Sequence, residues 1–93
     1  MKEKEYIRFL GYYDRSRQKL TVHKGKILNF VVQYESFIYT KWHPIIRYDI
    51  THGFFHKDIL HPNGTKTKMM IPNMEYNEAF TFAEIDIQNN WKR

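Results

Sequence analysis

The hydrophobic period of this chain changes once, near residue 73, and that change limits the folds open to it. Before it, Phe30, Val32 and Tyr34 alternate with Asn29, Val31 and Gln33. Successive side chains of a strand point to opposite faces, so the pattern fits a half-buried strand over residues 27–35. After it, Tyr76, Phe80, Ala83, Ile87 and Trp91 recur at intervals of 4, 3, 4 and 4. That spacing gathers them on one face of a helix. The stretch AFTFAEIDI also alternates and admits a strand, but the helical spacing covers more residues. Asn73 or Asn77 is placed to cap the helix start, and Lys92 and Arg93 suit the negative end of its dipole.

The segments before residue 73 read as strands divided by turns. Residues 6–13 are aromatic and strand-like, residues 14–17 (DRSR) look like a turn, and residues 19–23 place Leu20 and Val22 on one face. Lys24-Gly25-Lys26 is a second turn. Residues 36–43 admit either a longer strand or a wide connection, and Pro44 argues against a central ladder position. The strand pattern resumes at residues 45–50, HPNGT at 61–65 is a strong turn signal, and residues 65–71 form a last strand before Pro72. Met69-Met70 reads as gap-filling core. The expected fold is α+β: an antiparallel meander of about five strands with one C-terminal helix packed on a face, a single domain over residues 1–93.

A chain of 93 residues buries only about 60–65% of its unfolded surface. Its 17% aromatic content compensates, because each aromatic side chain buries on the order of 150–250 Å². Absence of cysteine excludes a disulfide framework and thiolate metal sites. No apolar run approaches the roughly 18 residues of a membrane span, and MKEKEYIRF lacks an apolar signal core. The expected location is cytoplasmic, with no membrane partner. A net charge of +5 favours polyanions, and its densest stretch supplies Arg15, Arg17, Lys19, Lys24 and Lys26 as candidate nucleic-acid contacts. Trp42 joins them as a candidate stacking platform for a base, against the alternative that it closes over the core.

RYDITHGFFHKD, residues 47–58, concentrates the groups capable of chemistry. A two-residue turn at His52-Gly53 fixes a register by counting outward: Ile50 faces Phe55, Asp49 faces His56, Tyr48 faces Lys57, Arg47 faces Asp58 and Ile46 faces Ile59. Ile46, Tyr48, Ile50, Phe55 and Ile59 then share the core face, and Lys57 must escape to its edge. Arg47, Asp58, Asp49 and His56 share the opposite face. A slip of one residue would scramble both faces, so the register is well specified. These pairs have two readings. As register markers, cross-strand ion pairs contribute roughly 0.2–1 kcal/mol each. As an active site, His56 is a general base oriented by Asp49, His52 the acid, Arg47 the phosphate contact and Tyr48 an accessory if it is not core. His52, His56, Asp49 and His61 are also permissible metal ligands, but no familiar ligand spacing joins them, so neither a metal nor another cofactor is expected.

Arg47-Tyr48-Asp49, then His52-Gly53, then His56 resembles the RYDxxHGxxH signature of small toxin proteins of the TumE type and related short domains. Ile50 stands where that signature often has asparagine, and Asp58 where it often has a further histidine. The resemblance covers about ten residues. It implies the toxin half of a toxin–antitoxin pair, with RNA as target and an antitoxin protein as partner. The expected function is therefore a small basic nucleic-acid-directed protein, endoribonuclease-like if the hairpin is catalytic. The alternative is a non-catalytic binding module, or an oligomeric structural protein such as a homodimer, using its sheet as an interaction surface.

Overall fold

The computed structural model describes residues 1–92, with the His52 side chain excepted. Six strands form one antiparallel sheet in chain order: β1 (Lys2–Gly11), β2 (Asp14–His23), β3 (Lys26–Ile38), β4 (Lys41–Asp49), β5 (His56–Leu60) and β6 (Lys66–Met70). One helix follows, α1 (Tyr76–Asn90). The α+β meander with a C-terminal helix is as expected from the sequence, with six strands where about five were counted. No helix among the described residues is long and apolar enough to cross a membrane.

The core lies between α1 and one face of the sheet. Leu20, Phe30, Val32, Tyr34, Tyr48, Ile50 and Phe55 meet Ala79, Phe80, Ala83 and Ile87 there, all buried. The two alanines have no exposed surface, which brings the helix close to the sheet. Phe30 meets Phe80 edge-on with ring centroids 5.5 Å apart, and Phe55 stacks on Tyr48 at 5.5 Å. Burial contributes roughly 1.5–3 kcal/mol for each such large side chain. Helical spacing and strand alternation thus select the same core from the two sides.

Four local expectations are corrected. Residues 14–17 are the start of β2 and not a turn; the turn is Tyr12-Tyr13. The charged residues fit a central strand because their neighbours neutralise them: Arg15 pairs with Glu35 and Arg17 with Glu5. Residues 36–43 form a hairpin, with β3 running to Ile38 and β4 starting at Lys41. Pro44 is tolerated in β4 because it sits at a register shift, opposite Glu35, while Tyr34 pairs with Ile46. Met69 and Met70 are exposed and not core, because they lie on the edge strand β6. Neither asparagine caps α1, whose N-cap is Glu75 without a side-chain bond. Asn77 instead accepts from the Ile27 amide at 3.1 Å and donates to the Gly25 carbonyl at 3.2 Å, tying α1 to the β2–β3 turn. Arg93 lies outside the described residues.

Candidate functional site

The sheet face opposite α1 carries the candidate chemistry, and strand register orders it into rows. One row crosses all six strands: Ile7, Arg17, Gln33, Arg47, Asp58 and Lys68. A second row, two residues along, reads Glu5, Lys19, Val31, Asp49, His56 and Met70. Side chains two apart on a strand share a face, so both rows point away from the helix. Two grooves of about 320 and 310 Å³ lie side by side on this face, and Arg47 lines both.

The β4–β5 ladder has the expected register, with Asp49 opposite His56, Tyr48 opposite Lys57, Arg47 opposite Asp58 and Ile46 opposite Ile59. The turn differs: Thr51–Gly53 is a short 3₁₀ turn, and the ladder ends at the Asp49–His56 rung. Gly53 supplies a φ of 84° there, a left-handed conformation that glycine adopts without penalty. The Phe55 carbonyl accepts from the Ile71 amide, so it serves the chain beyond β6 and not the hairpin.

At the end of this ladder His56 lies between two carboxylates. Its Nε2 is 2.9 Å from Asp49 Oδ1 and 3.7 Å from Asp58 Oδ2. Nδ1 is 3.3 Å from the Phe54 carbonyl, which accepts a hydrogen bond whenever that nitrogen carries the proton. Asp49 is held on both oxygens: the Thr51 amide donates to Oδ1 at 3.1 Å and Arg47 Nε to Oδ2 at 2.8 Å. Asp58 has only the 3.7 Å contact of its Oδ2 with His56. Its cross-strand neighbours, Arg47 and Lys68, are both cations, yet neither forms an ion pair with it. Among the described residues Asp58 Oδ1 is buried without a hydrogen-bond partner. Asp49, His56 and Asp58 are 4%, 2% and 6% exposed although, among the described residues, no second layer of structure covers this face. The cluster lines a groove together with Arg47, Lys66 and Lys68.

The same face continues to an aromatic end. Trp42 lies 5.3 Å from Phe37 and 6.1 Å from Phe9, and the Arg15 guanidinium sits 4.0 Å above its ring. Arg15 also bonds Glu35 at 2.6 Å. Phe9 and Tyr13 are largely exposed, and Tyr13 stacks on Phe37.

The expected site residues therefore separate into groups. Asp49, His56 and Arg47 come together, but Arg47 bonds Asp49 along its own strand and not Asp58 across the ladder. The side chain of His52, the expected acid, lies outside the described residues. Tyr48 belongs to the core, where its hydroxyl donates to Asp86 at 2.5 Å. Burial first, then that bond, pushes its phenol far above the ordinary value. Lys57 leaves the core face at its edge, reaching Asp86 at 3.4 Å past the Tyr48 ring. Arg15, Arg17 and Lys19 share the polar face. Lys24 and Lys26 lie at the β2–β3 turn where α1 docks, away from those rows. His61, a candidate ligand, is exposed and bonds Thr67 at 2.8 Å. Asp58, Lys66 and Lys68 were missed as site residues. Carrying the alternation across HPNGT into the last strand would have placed the two lysines beside Asp58.

The chain belongs to the family described as a domain of unknown function, DUF7718, which it matches over residues 1–93. No curated protein and no solved structure matches it.

Proposed function

We propose that this protein binds single-stranded RNA along the polar face of its sheet. The observation that carries the reading is the continuity of that face. It runs from the Phe9, Phe37 and Trp42 rings, past Arg17 and Lys19, to Arg47, Lys66 and Lys68. Proteins that take single strands combine a cationic groove with aromatic surfaces on which bases stack, each stacked base contributing about 1–3 kcal/mol. Among the described residues Lys19, Lys66 and Lys68 form no ion pair, which leaves them for phosphates. Arg15 is already engaged by Glu35 and Trp42, so it shapes the aromatic end and does not bind phosphate.

Fluorescence anisotropy with a labelled single-stranded RNA tests this. Binding should weaken steeply with salt, because phosphate contacts release counterions. Lys66→Glu with Lys68→Glu should reduce both affinity and salt slope, and Trp42→Ala should reduce affinity with the slope retained. An absence of binding at low salt, or binding indifferent to salt, refutes the reading.

A second reading, favoured by the 2.9 Å contact between His56 and Asp49, makes the protein an endoribonuclease. A toxin role and an antitoxin partner belong with it. The buried His56 ring would then have to meet substrate from the groove side. RNA cleavage and growth arrest that both vanish in His56→Ala support it; intact RNA after incubation with wild type excludes it.

A further inference from the structure

We propose that Asp49, His56 and Asp58 bind one divalent transition-metal ion, which enters from the groove beneath Arg47, Lys66 and Lys68. This goes beyond RNA binding and stands whether or not RNA is bound. Its first support is geometry. The three residues offer one nitrogen and two carboxylate oxygens, all within 4.8 Å of one another. Metal–ligand bonds of about 2.0–2.2 Å place neighbouring ligand atoms roughly 3–3.6 Å apart. The His56 Nε2 separations of 2.9 and 3.7 Å bracket that range closely.

The second support is independent of the cluster's composition. Asp58 is 6% exposed, and among the described residues its Oδ1 has no hydrogen-bond partner. A carboxylate is costly to bury with one oxygen unpartnered. Arg47 and Lys68 flank it across both neighbouring strands, and neither forms an ion pair with it. A cation at the cluster would satisfy Asp58 directly.

The third support is the way the ligands are held. The Phe54 carbonyl, 3.3 Å from Nδ1, can hold a proton on that nitrogen, and Nε2 is the ring atom that faces the two carboxylates and would serve as the ligand. That array attracts a cation, and outer bonds of this kind commonly orient metal-binding histidines. Arg47 and the Thr51 amide fix the Asp49 carboxylate in the same way. An imidazole with two carboxylates suits Mn²⁺ or Zn²⁺. Three protein ligands leave coordination positions for water or a phosphate oxygen from the groove, where Lys66 and Lys68 supply further positive charge.

Untagged protein, stripped of metal with a chelator, is titrated calorimetrically with MnCl₂ and separately with ZnCl₂, without RNA. We expect saturation by at least one of these ions at one ion per chain, with affinity lowered roughly 100-fold in Asp58→Asn and in His56→Gln. His61→Ala, altered at an exposed histidine outside the cluster, should bind as wild type does. Pulsed electron paramagnetic resonance of Mn²⁺-loaded wild type should show one coupled imidazole nitrogen, a readout that depends on no variant folding. Failure to bind either ion, undiminished binding in both cluster variants, or no nitrogen coupling in the Mn²⁺-loaded protein overturns the proposal. The RNA reading is untouched by any of these results, since it is measured by anisotropy.

Discussion

Arg47 lies directly across the ladder from Asp58, yet its guanidinium turns along its own strand and bonds Asp49 at 2.8 Å. Cross-strand position and charge alone would have paired Arg47 with Asp58. Asp49 lies two residues along on the same face, with its Oδ1 occupied by the Thr51 amide and its Oδ2 directed at Arg47. The arginine completes a carboxylate that is already fixed and forms no bond with its opposite neighbour.

The two carboxylates should therefore respond differently to neutralisation in metal-free buffer. Asp49→Asn replaces an acceptor that takes bonds on both oxygens, and should destabilise the fold by about 1–3 kcal/mol. Asp58→Asn removes a buried charge with an unpartnered oxygen, and should leave stability unchanged or raise it by up to about 1 kcal/mol. Urea denaturation of both variants beside wild type measures the contrast. Equal losses would mean that Asp58 is as well supported as Asp49.

The β4–β5 register was legible because both of its faces are chemically marked. Ile46, Tyr48 and Ile59 on one side, and Arg47, Asp49, His56 and Asp58 on the other, leave one alignment that separates apolar from polar. The turn was not legible, because alternation specifies which residues face each other and says nothing of how the chain closes beyond the last rung. The start of β2 was hidden for a related reason. Asp14 to Arg17 looks like a turn until Glu5 and Glu35, distant in sequence, are seen to neutralise its arginines. The burial of Asp49, His56 and Asp58 was equally hidden, since it comes from neighbouring side chains and not from a covering layer.

Acid stability should depend on Asp86. Burial is the largest single effect and opposes its ionisation, but bonds from Tyr48, Asn90 and Lys57 together outweigh it and hold its carboxyl below the usual value of 3.8. A carboxyl more acidic in the folded than in the unfolded chain favours folding at pH above 3.8, and that contribution disappears as the pH falls through the lower folded value. Asp86→Asn should therefore be less stable than wild type at pH 7, with the difference shrinking below pH 4. A difference that grows on acidification would contradict this origin.

Alkaline stability should depend on Tyr34. Burial first, then a 2.5 Å hydrogen bond to Asp14, raises its phenol from 10 to about 12. The folded state thus favours the neutral phenol. This contribution is full below pH 10 and is lost as the pH rises through about 12. Denaturation midpoints for wild type should fall across that interval, and Tyr34→Phe should show a shallower fall while being less stable near neutrality. Identical slopes would assign the alkaline loss to other groups.

The β3–β4 turn should be the easiest place to stabilise the molecule. Tyr39 and Thr40 have φ of 50° and 67°, both left-handed. Two successive residues of this kind match the two-residue hairpin turn that favours Asn-Gly. Such backbone costs roughly 1–2 kcal/mol for each residue other than glycine, and it is least tolerated by a β-branched side chain such as threonine. Tyr39 is 92% exposed, so replacing it sacrifices little packing. Glycine gives back some of the gain, about 0.5–1 kcal/mol, through its freer unfolded chain. Tyr39→Asn with Thr40→Gly should still stabilise by about 1 kcal/mol, which corresponds to a Tm rise of about 4–8 °C for a chain of this size. Differential scanning calorimetry decides the matter: a Tm equal to or below that of wild type would show that the turn carries no relievable strain.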